Sequence, residues 1–370
     1  MTERQSAFAQ LFGVEPTVRA QAHGRVNLLG EHTDYNEGFV LPTVIPGSTR
    51  IDLAPHANLL VRAHSDVDAA GAVLEYELGS ETRRGLWIDY LQGVTQAVRA
   101  ARHDLRGFDA HVTSDIPVGA GLSSSAALTV ALLRALRDAF DLAFDDVELA
   151  KLARAAETDF VGAPVGVMDQ MVCSLGRAGE ALLIDTRSLA IEHVSLPRDA
   201  EILVIDSGVP HAHAGGDYRL RREECARAAA LLGVRALRDI RSERDPRLEQ
   251  LPSVEQRRAR HVIAENGRVL AAVALLRAGD SAGLGPLLNA SHASLRDDFE
   301  VSCPELDTLV ALAQSHEGTY GARMTGGGFG GSIVALVSLG LAESIAELVC
   351  AAYTQRHARS ARWFVVQARR

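Results

Sequence analysis

Pro117-Val118-Gly119-Ala120-Gly121-Leu122-Ser123-Ser124-Ser125-Ala126-Ala127 joins two segments of different period. Before it, Phe108, Ala110 and Val112 alternate with Asp109, His111 and Thr113, which predicts a strand buried on one face. After it, Leu128, Leu132, Leu133 and Leu136 recur at helical spacing. A strand therefore runs into a glycine turn, and the turn opens a helix through three hydroxyls. Glycine reaches positive φ and lets the backbone come close to a ligand. A helix start offers unpaired N–H groups and the positive end of its dipole. Together these make an anion site, with phosphate the usual guest. The alternative is a plain helix cap after a tight turn, a position serine favours.

Of the 38 Lys and Arg residues only Lys151 is a lysine, and it lies in Asp-Val-Glu-Leu-Ala-Lys-Leu. A Walker A loop requires Gly-Lys-Ser/Thr, so that class is excluded. A protein-kinase site, with its strand lysine beside a glycine loop, is excluded as well. A nucleotide held here is held by backbone and hydroxyls.

A chain of 370 residues is long for one core and predicts two domains. Its net charge of −9 argues against a nucleic-acid or anionic-membrane surface. Cys173, Cys225, Cys303 and Cys350 lack C-x-x-C spacing and read as reduced, mostly buried residues of a cytoplasmic protein. The N-terminus has no secretory pattern, and no apolar run reaches about 18 residues.

Phe8, Leu11 and Phe12 predict a short amphipathic helix. Next comes Gly24-Arg25-Val26-Asn27-Leu28-Leu29-Gly30-Glu31-His32-Thr33-Asp34-Tyr35-Asn36-Glu37-Gly38-Phe39-Val40-Leu41-Pro42, a short strand followed by a crowded polar loop. That loop is either a solvated turn or a set of carboxylates, imidazole and phenol for vicinal sugar hydroxyls. Strands are expected at 50–63 and 73–78 and a helix at 86–102. A further helix begins at a capping box, Asp145 to Glu148. On its apolar stripe of Leu149, Leu152, Ala153, Ala156 and Phe160, Glu157 falls at one edge and Asp159 at the other. Glu157 is thus a half-sheltered boundary residue or a metal ligand. The loop Gly162-Ala163-Pro164-Val165-Gly166 delivers Asp169 and Gln170 into apolar company, where Asp169 is a helix cap or a catalyst.

A buried strand at 201–206 places the start of a second domain near residue 197. His211 and His213 read as solvated loop histidines, since no third metal ligand is near. Helices follow at about 217–232 and 255–278, each ended by glycine, with an exposed charged connector at 240–254. Another helix is expected from Leu306 to Ala313. Strands 319–324 and 332–338 flank Thr325-Gly326-Gly327-Gly328-Phe329-Gly330-Gly331, in which five of six positions from 326 are glycine. So much glycine is costly in a plain hairpin. A backbone closely approached by a ligand or by the first glycine loop is the expectation. A helix at 341–357 and a strand at 363–366 complete the chain.

The order of polar loop, glycine-serine loop and glycine-rich hairpin resembles the GHMP small-molecule kinases. Gly-Arg-Val-Asn-Leu-Leu-Gly-Glu-His-Thr-Asp-Tyr-Asn at 24–36 resembles the signature of the galactokinase family within them. Val167-Met168-Asp169-Gln170, Arg323-Met324-Thr325-Gly326-Gly327-Gly328 and Ser291-His292 through Asp307 match that family too, and the likeness spans about residues 10–366. It implies an α+β fold of two domains. The first, 1–196, would resemble the second domain of ribosomal protein S5; the second, 197–370, would be ferredoxin-like, with the site in the cleft. It implies that Gly119, Ala120, Gly121, Leu122, Ser123, Ser124 and Ser125 wrap the ATP phosphates and that Ser125 and Glu157 hold Mg2+. Glu31, His32, Thr33, Asp34, Gly166 and Tyr218 would contact the sugar, with Asp169 as base toward the anomeric hydroxyl and Arg25 beside the transferring phosphoryl.

The implied function is ATP-dependent phosphorylation of galactose to galactose 1-phosphate and ADP, the opening step of galactose metabolism, by a cytoplasmic monomer. Its partners would be galactose and ATP, with no nucleic acid and no membrane. The alternatives are a kinase for a related sugar such as N-acetylgalactosamine, or a non-catalytic galactose and ATP sensor. The chain departs from the family at Glu37, usually glycine, and at Phe299, often tyrosine. The stretch His211 to Tyr218 is also looser than the usual serine-rich form.

Overall fold

The computed structural model describes residues 6–210 and 214–366, so His211 and His213 lie outside the described residues. The chain opens with α1 (Ala7–Phe12), β1 (Val18–Asn27), β2 (Phe39–Val40), β3 (Pro42–Pro55), β4 (Leu60–Ser65), β5 (Leu74–Glu77), α2 (Ile88–Ala100) and β6 (Phe108–Ser114). Then come α3 (Ser124–Phe140), α4 (Asp146–Ala155), a π turn (Ala156–Val161), α5 (Met168–Leu175), β7 (Glu180–Asp185), β8 (Ile191–Ser195) and β9 (Ala200–Asp206). The last part holds α6 (Ala214–Leu231), α7 (Ser253–Ala278), α8 (Ser281–Asp297), α9 (Pro304–Gln314), β10 (Thr319–Thr325), β11 (Ser332–Ser338), α10 (Ala342–His357) and β12 (Arg362–Val366). None of these helices is long and apolar enough to cross a membrane.

Contacts divide the chain into two units. The first comprises Met1–Gly24, Pro46–Ile116 and Ser123–Leu175; the second comprises Arg25–Ile45, Pro117–Leu122 and Gly176–Arg370. In the first unit, β3 runs antiparallel to β6 from Thr49 opposite Ser114 to Pro55 opposite Phe108. Strand β6 pairs in parallel with β4, which pairs antiparallel with β5. The apolar faces of α2 to α5 are buried, from Leu91 and Val94 to Leu133 and Val172. Helix α2 passes close to the π turn at Gly93, where a Cβ would stand 2.7 Å from the Ala156 carbonyl. The alternation in β6 does not leave a wet face. Asp109 and His111 are buried, because Arg62 donates to both oxygens of Asp109 at 2.6 and 2.7 Å and His111 meets Asp66.

The second unit holds a four-stranded sheet in the order β10-β11-β9-β12, antiparallel throughout. Leu203, Ile205, Ile333 and Ala335 of that sheet share a core with Val262 of α7, Leu306 and Leu309 of α9 and Ile345 and Val349 of α10. Propensity argues against a helix where α8 stands, since Gly283, Gly285 and Pro286 all disfavour a helix interior. Gly285 explains its place, because a Cβ there would lie 2.0 Å from the Tyr320 carbonyl of β10. The expected connector at 240–254 is only partly exposed; Leu248 and Leu251 are buried.

Candidate active site

In the first unit the site is built on the start of α3. Ser123 has φ +61° and its hydroxyl makes no cap hydrogen bond to α3. Instead its Oγ donates to Asp169 Oδ2 at 2.6 Å. Of the two readings left open for this turn, the plain serine cap therefore fails at Ser123. Left-handed backbone is unfavourable for a residue with a Cβ, so the loop holds this hydroxyl against local preference. Asp169 lies inside α5, one residue past its first, and is not that helix's N-cap. Gly166 is buried just ahead of that helix.

Glu157 differs from expectation. It is 1% exposed, not half-sheltered, whereas Asp159 is exposed. The reason is tertiary: Thr129 of α3 and Gln170 of α5 close over the carboxylate and α2 packs against the adjacent Ala156, at a π turn whose winding a regular helical wheel does not describe. Gln170 Nε2 donates to Glu157 Oε1 at 2.7 Å, and Thr129 Oγ1 lies 3.4 Å from the same oxygen. Burial pushes the Glu157 carboxyl up to about 7, partly opposed by hydrogen bonds from Gln170 and Ser125. A buried carboxylate beside a serine hydroxyl is a set of hard oxygen donors, and a divalent cation would favour its ionised form. That fits Mg2+.

In the second unit the glycine loop and the polar loop meet the hairpin. Arg25 Nη1 donates to the Gly121 carbonyl at 2.6 Å, and its backbone N–H to Leu122 O at 3.1 Å. The Ser332 hydroxyl donates to Ala120 O at 2.8 Å. A Cβ at Gly326 would stand 3.2 Å from Gly121 O, and one at Gly328 2.2 Å from Val301 O. The run of glycines thus serves close backbone packing, including the expected approach of the first glycine loop.

Glu31, 2% exposed, accepts from the Gly326 N–H at 2.7 Å and from Thr325 Oγ1 at 3.1 Å, with Arg323 Nη2 at 3.2 Å. Burial raises its pKa, while Arg323 and Arg25 oppose the rise. Nearby, Glu265 accepts from Gly30 N–H and the Ser291 hydroxyl, each at 2.8 Å, and from Arg268 at 2.6 Å. Burial alone would raise Glu265, but Arg268 and Arg323 hold it at about 2. His32 has φ +62°, and its Nδ1 lies 2.9 Å from the Tyr35 hydroxyl. Its ring packs 5.3 Å from Tyr218 and 4.7 Å from Phe299. Burial lowers His32 to about 3, so the imidazole is neutral. Thr33 is fully buried with its hydroxyl 2.8 Å from Gly30 O and 2.6 Å from Phe39 O, which shapes the loop. Asp34 and Tyr218 are half-buried.

Arg323 and Glu265 carried no assigned role in the sequence reading. The available signal was a charged residue inside an apolar strand and another inside a helix, each of which demands a partner. Glu37 adopts φ +56°, consistent with glycine being usual there, and is held by Arg187 at 2.5 Å and Arg235 at 2.8 Å.

Three family models match the chain: the galactokinase galactose-binding signature over residues 6–55, the GHMP kinases N terminal domain over 89–177 and the GHMP kinases C terminal over 272–355. The chain is 44% identical to a galactokinase of Streptomyces coelicolor, covering 96% of this chain and 94% of that one. It is 43% identical to a galactokinase of Roseiflexus sp., over 99% and 95%. Among solved structures, Lactococcus lactis galactokinase complexed with galactose superposes with a TM-score of 0.91 at 32% identity, over 98% and 96%. Methanococcus jannaschii mevalonate kinase shares the fold, with a TM-score of 0.67 at 16% identity over 97% and 100%.

Proposed function

This chain belongs to the galactokinase family of the GHMP kinases, and from that premise we propose that it transfers the γ-phosphoryl of ATP to the anomeric hydroxyl of galactose. The anomeric oxygen forms a bond to the γ-phosphorus as the bond from that phosphorus to the β,γ-bridging oxygen breaks. Galactose 1-phosphate and ADP result, and the hydroxyl proton passes to a carboxylate of Asp169. Phosphoryl transfer asks mostly for positioning and charge stabilisation, which these residues supply.

Gly119, Ala120, Gly121, Leu122, Ser123, Ser124 and Ser125 bind the phosphates through backbone N–H groups, hydroxyls and the α3 dipole. Arg25 offers a guanidinium to the transferring phosphoryl while steadying the Gly121 carbonyl. Ser125 and Glu157 would hold Mg2+, which when bound neutralises phosphate charge. Glu31, His32, Asp34, Gly166 and Tyr218 contact the sugar; neutral His32 donates or accepts one hydrogen bond but brings no charge. Thr33 acts by fixing the loop that carries them. We propose a domain boundary near residue 197 on sheet membership, since β8 still pairs with β7 whereas β9 opens the four-stranded sheet at Ala200; grouping by contacts instead divides the chain at Gly176 and takes in Arg25–Ile45 and Pro117–Leu122. The cytoplasm and a monomeric state complete the reading, and the four free cysteines suit a reducing compartment.

The single observation that carries the catalytic assignment is the Ser123–Asp169 hydrogen bond of 2.6 Å at a strained helix start. The test is an ADP-release assay coupled to NADH oxidation, run across galactose, glucose, talose, 2-deoxygalactose and N-acetylgalactosamine. Galactose is expected to give the highest kcat/KM. Equal or better turnover of N-acetylgalactosamine, or ADP release with none of the sugars, would overturn the reading.

A further inference from the structure

A second cluster of ligand-type side chains sits in the first unit, on β4, the residue that follows it and β6, among residues to which no role in ATP or sugar binding is given above. Strand periodicity puts residues 64 and 66 on the same side of their segment. The parallel register of β4 with β6 sets His64 opposite His111. Two imidazoles and a carboxylate are thereby gathered by backbone pairing alone. Their ligand atoms, one from each of His64, Asp66 and His111, all lie within 4.8 Å of one another.

We propose that His64, Asp66 and His111 bind a divalent first-row transition ion, Zn2+ in the first instance, through two imidazoles and one carboxylate. Asp66 Oδ1 lies 2.8 Å from His111 Nε2 and 3.5 Å from His64 Nδ1. Donors bonded tetrahedrally to zinc at ~2.0–2.1 Å stand about 3.4 Å apart. The His64 edge already has that length; the His111 edge opens by roughly half an ångström when the ion replaces the hydrogen bond.

Burial adds an independent argument. His64 Nδ1 is buried and makes no hydrogen bond among the described residues, a cost that a structural pairing of Asp66 with His111 does not relieve. The side chains of His64 and His111 are 13% and 5% exposed, whereas that of Asp66 is 53% exposed. The imidazoles are thus fixed from within, and the carboxylate side is open for an ion and its waters to enter.

The donor set also selects the ion. Imidazole suits Zn2+, Cu2+, Fe2+ and Ni2+, whereas Mg2+ and Ca2+ require oxygen. This site is therefore chemically distinct from one formed by Ser125 and Glu157. Bound metal would tie the end of β4 to β6.

The test uses the full chain without a histidine tag, stripped with chelator and dialysed against Zn2+ in excess Mg2+. One tightly held equivalent of zinc is expected by elemental analysis, undisplaced by Mg2+. Co2+ substitution should give d–d absorption without a thiolate charge-transfer band. Loss of an outer partner already lowers affinity about 10–100-fold in metal sites, so losing a ligand costs at least about tenfold. His64→Ala and Asp66→Asn should each weaken binding by that factor or more, with ADP release unchanged as the check on folding. Asp66→Asn alters an exposed side chain and keeps the test sound if His64→Ala folds poorly. Zinc retained undiminished by both variants, no stoichiometric zinc in the parent chain, or a cobalt–thiolate band would each overturn the proposal.

Discussion

Glu157→Gln separates the two demands placed on one buried carboxyl. Its pKa rises from 4.5 to about 7 because burial penalises the charged form. In the unfolded chain the group returns to 4.5, so between those values the folded state binds more protons than the unfolded state. Stability must then fall as pH rises through that window, the reverse of an ion-paired carboxylate. Two and a half pH units at ~1.36 kcal/mol each give a penalty of about 3 kcal/mol above pH 7 when no cation is bound. Glutamine keeps the shape and an acceptor oxygen for Gln170 but never ionises. In chelator, urea unfolding should show the variant gaining about 2–3 kcal/mol on the parent chain between pH 5 and pH 8.5. Adding Mg2+ and ATP should narrow that gap by stabilising the parent chain more than the variant, while the variant's turnover collapses. Parallel pH profiles for the two proteins would refute the burial argument, and equal rescue of both by Mg2+ would remove Glu157 as a ligand.

Asp169→Asn should lower kcat by about 10²–10⁴-fold with ATP and galactose still binding by calorimetry; near-native turnover would take Asp169 out of the chemistry. Arg25→Ala should reduce kcat more than sugar affinity, since its charge contact strengthens in the transition state; a loss confined to galactose KM would contradict that. Ser123→Gly should relieve the left-handed strain and leave the melting temperature unchanged or higher, yet slow turnover about 10–100-fold through loss of the Asp169 hydrogen bond. Galactose affinity should show no inflection from His32 between pH 5 and 8, because burial holds that imidazole at about 3; an inflection abolished by His32→Gln would show that the ring ionises.

Periodicity and turn chemistry carry far where structure is local. The β6–loop–α3 unit, the β10–β11 hairpin and the Asp145 cap all answer to residues within a few positions of one another; Asp145 caps α4 by accepting from Val147 and Glu148, which is one half of the expected capping box, without a return bond from the Glu148 side chain. Two kinds of fact escape such reading. One is irregular winding. A helical wheel assumes 3.6 residues per turn, and the π turn at 156–161 breaks that assumption at the residue proposed to hold the metal. The other is the partner of a buried charge. Composition says that Arg323, inside an apolar strand, must be paired; only the fold says that the pair is Glu31, almost 300 positions earlier. Both failures fall at polar groups that the core would not choose for stability. A Glu157 carboxyl raised to about 7 and a Glu31 carboxyl that burial raises despite Arg323 each work against folding, and a globular chain gains nothing local from keeping them. Their misfit with the rules that organise the rest of the molecule is therefore itself the physical mark of the site.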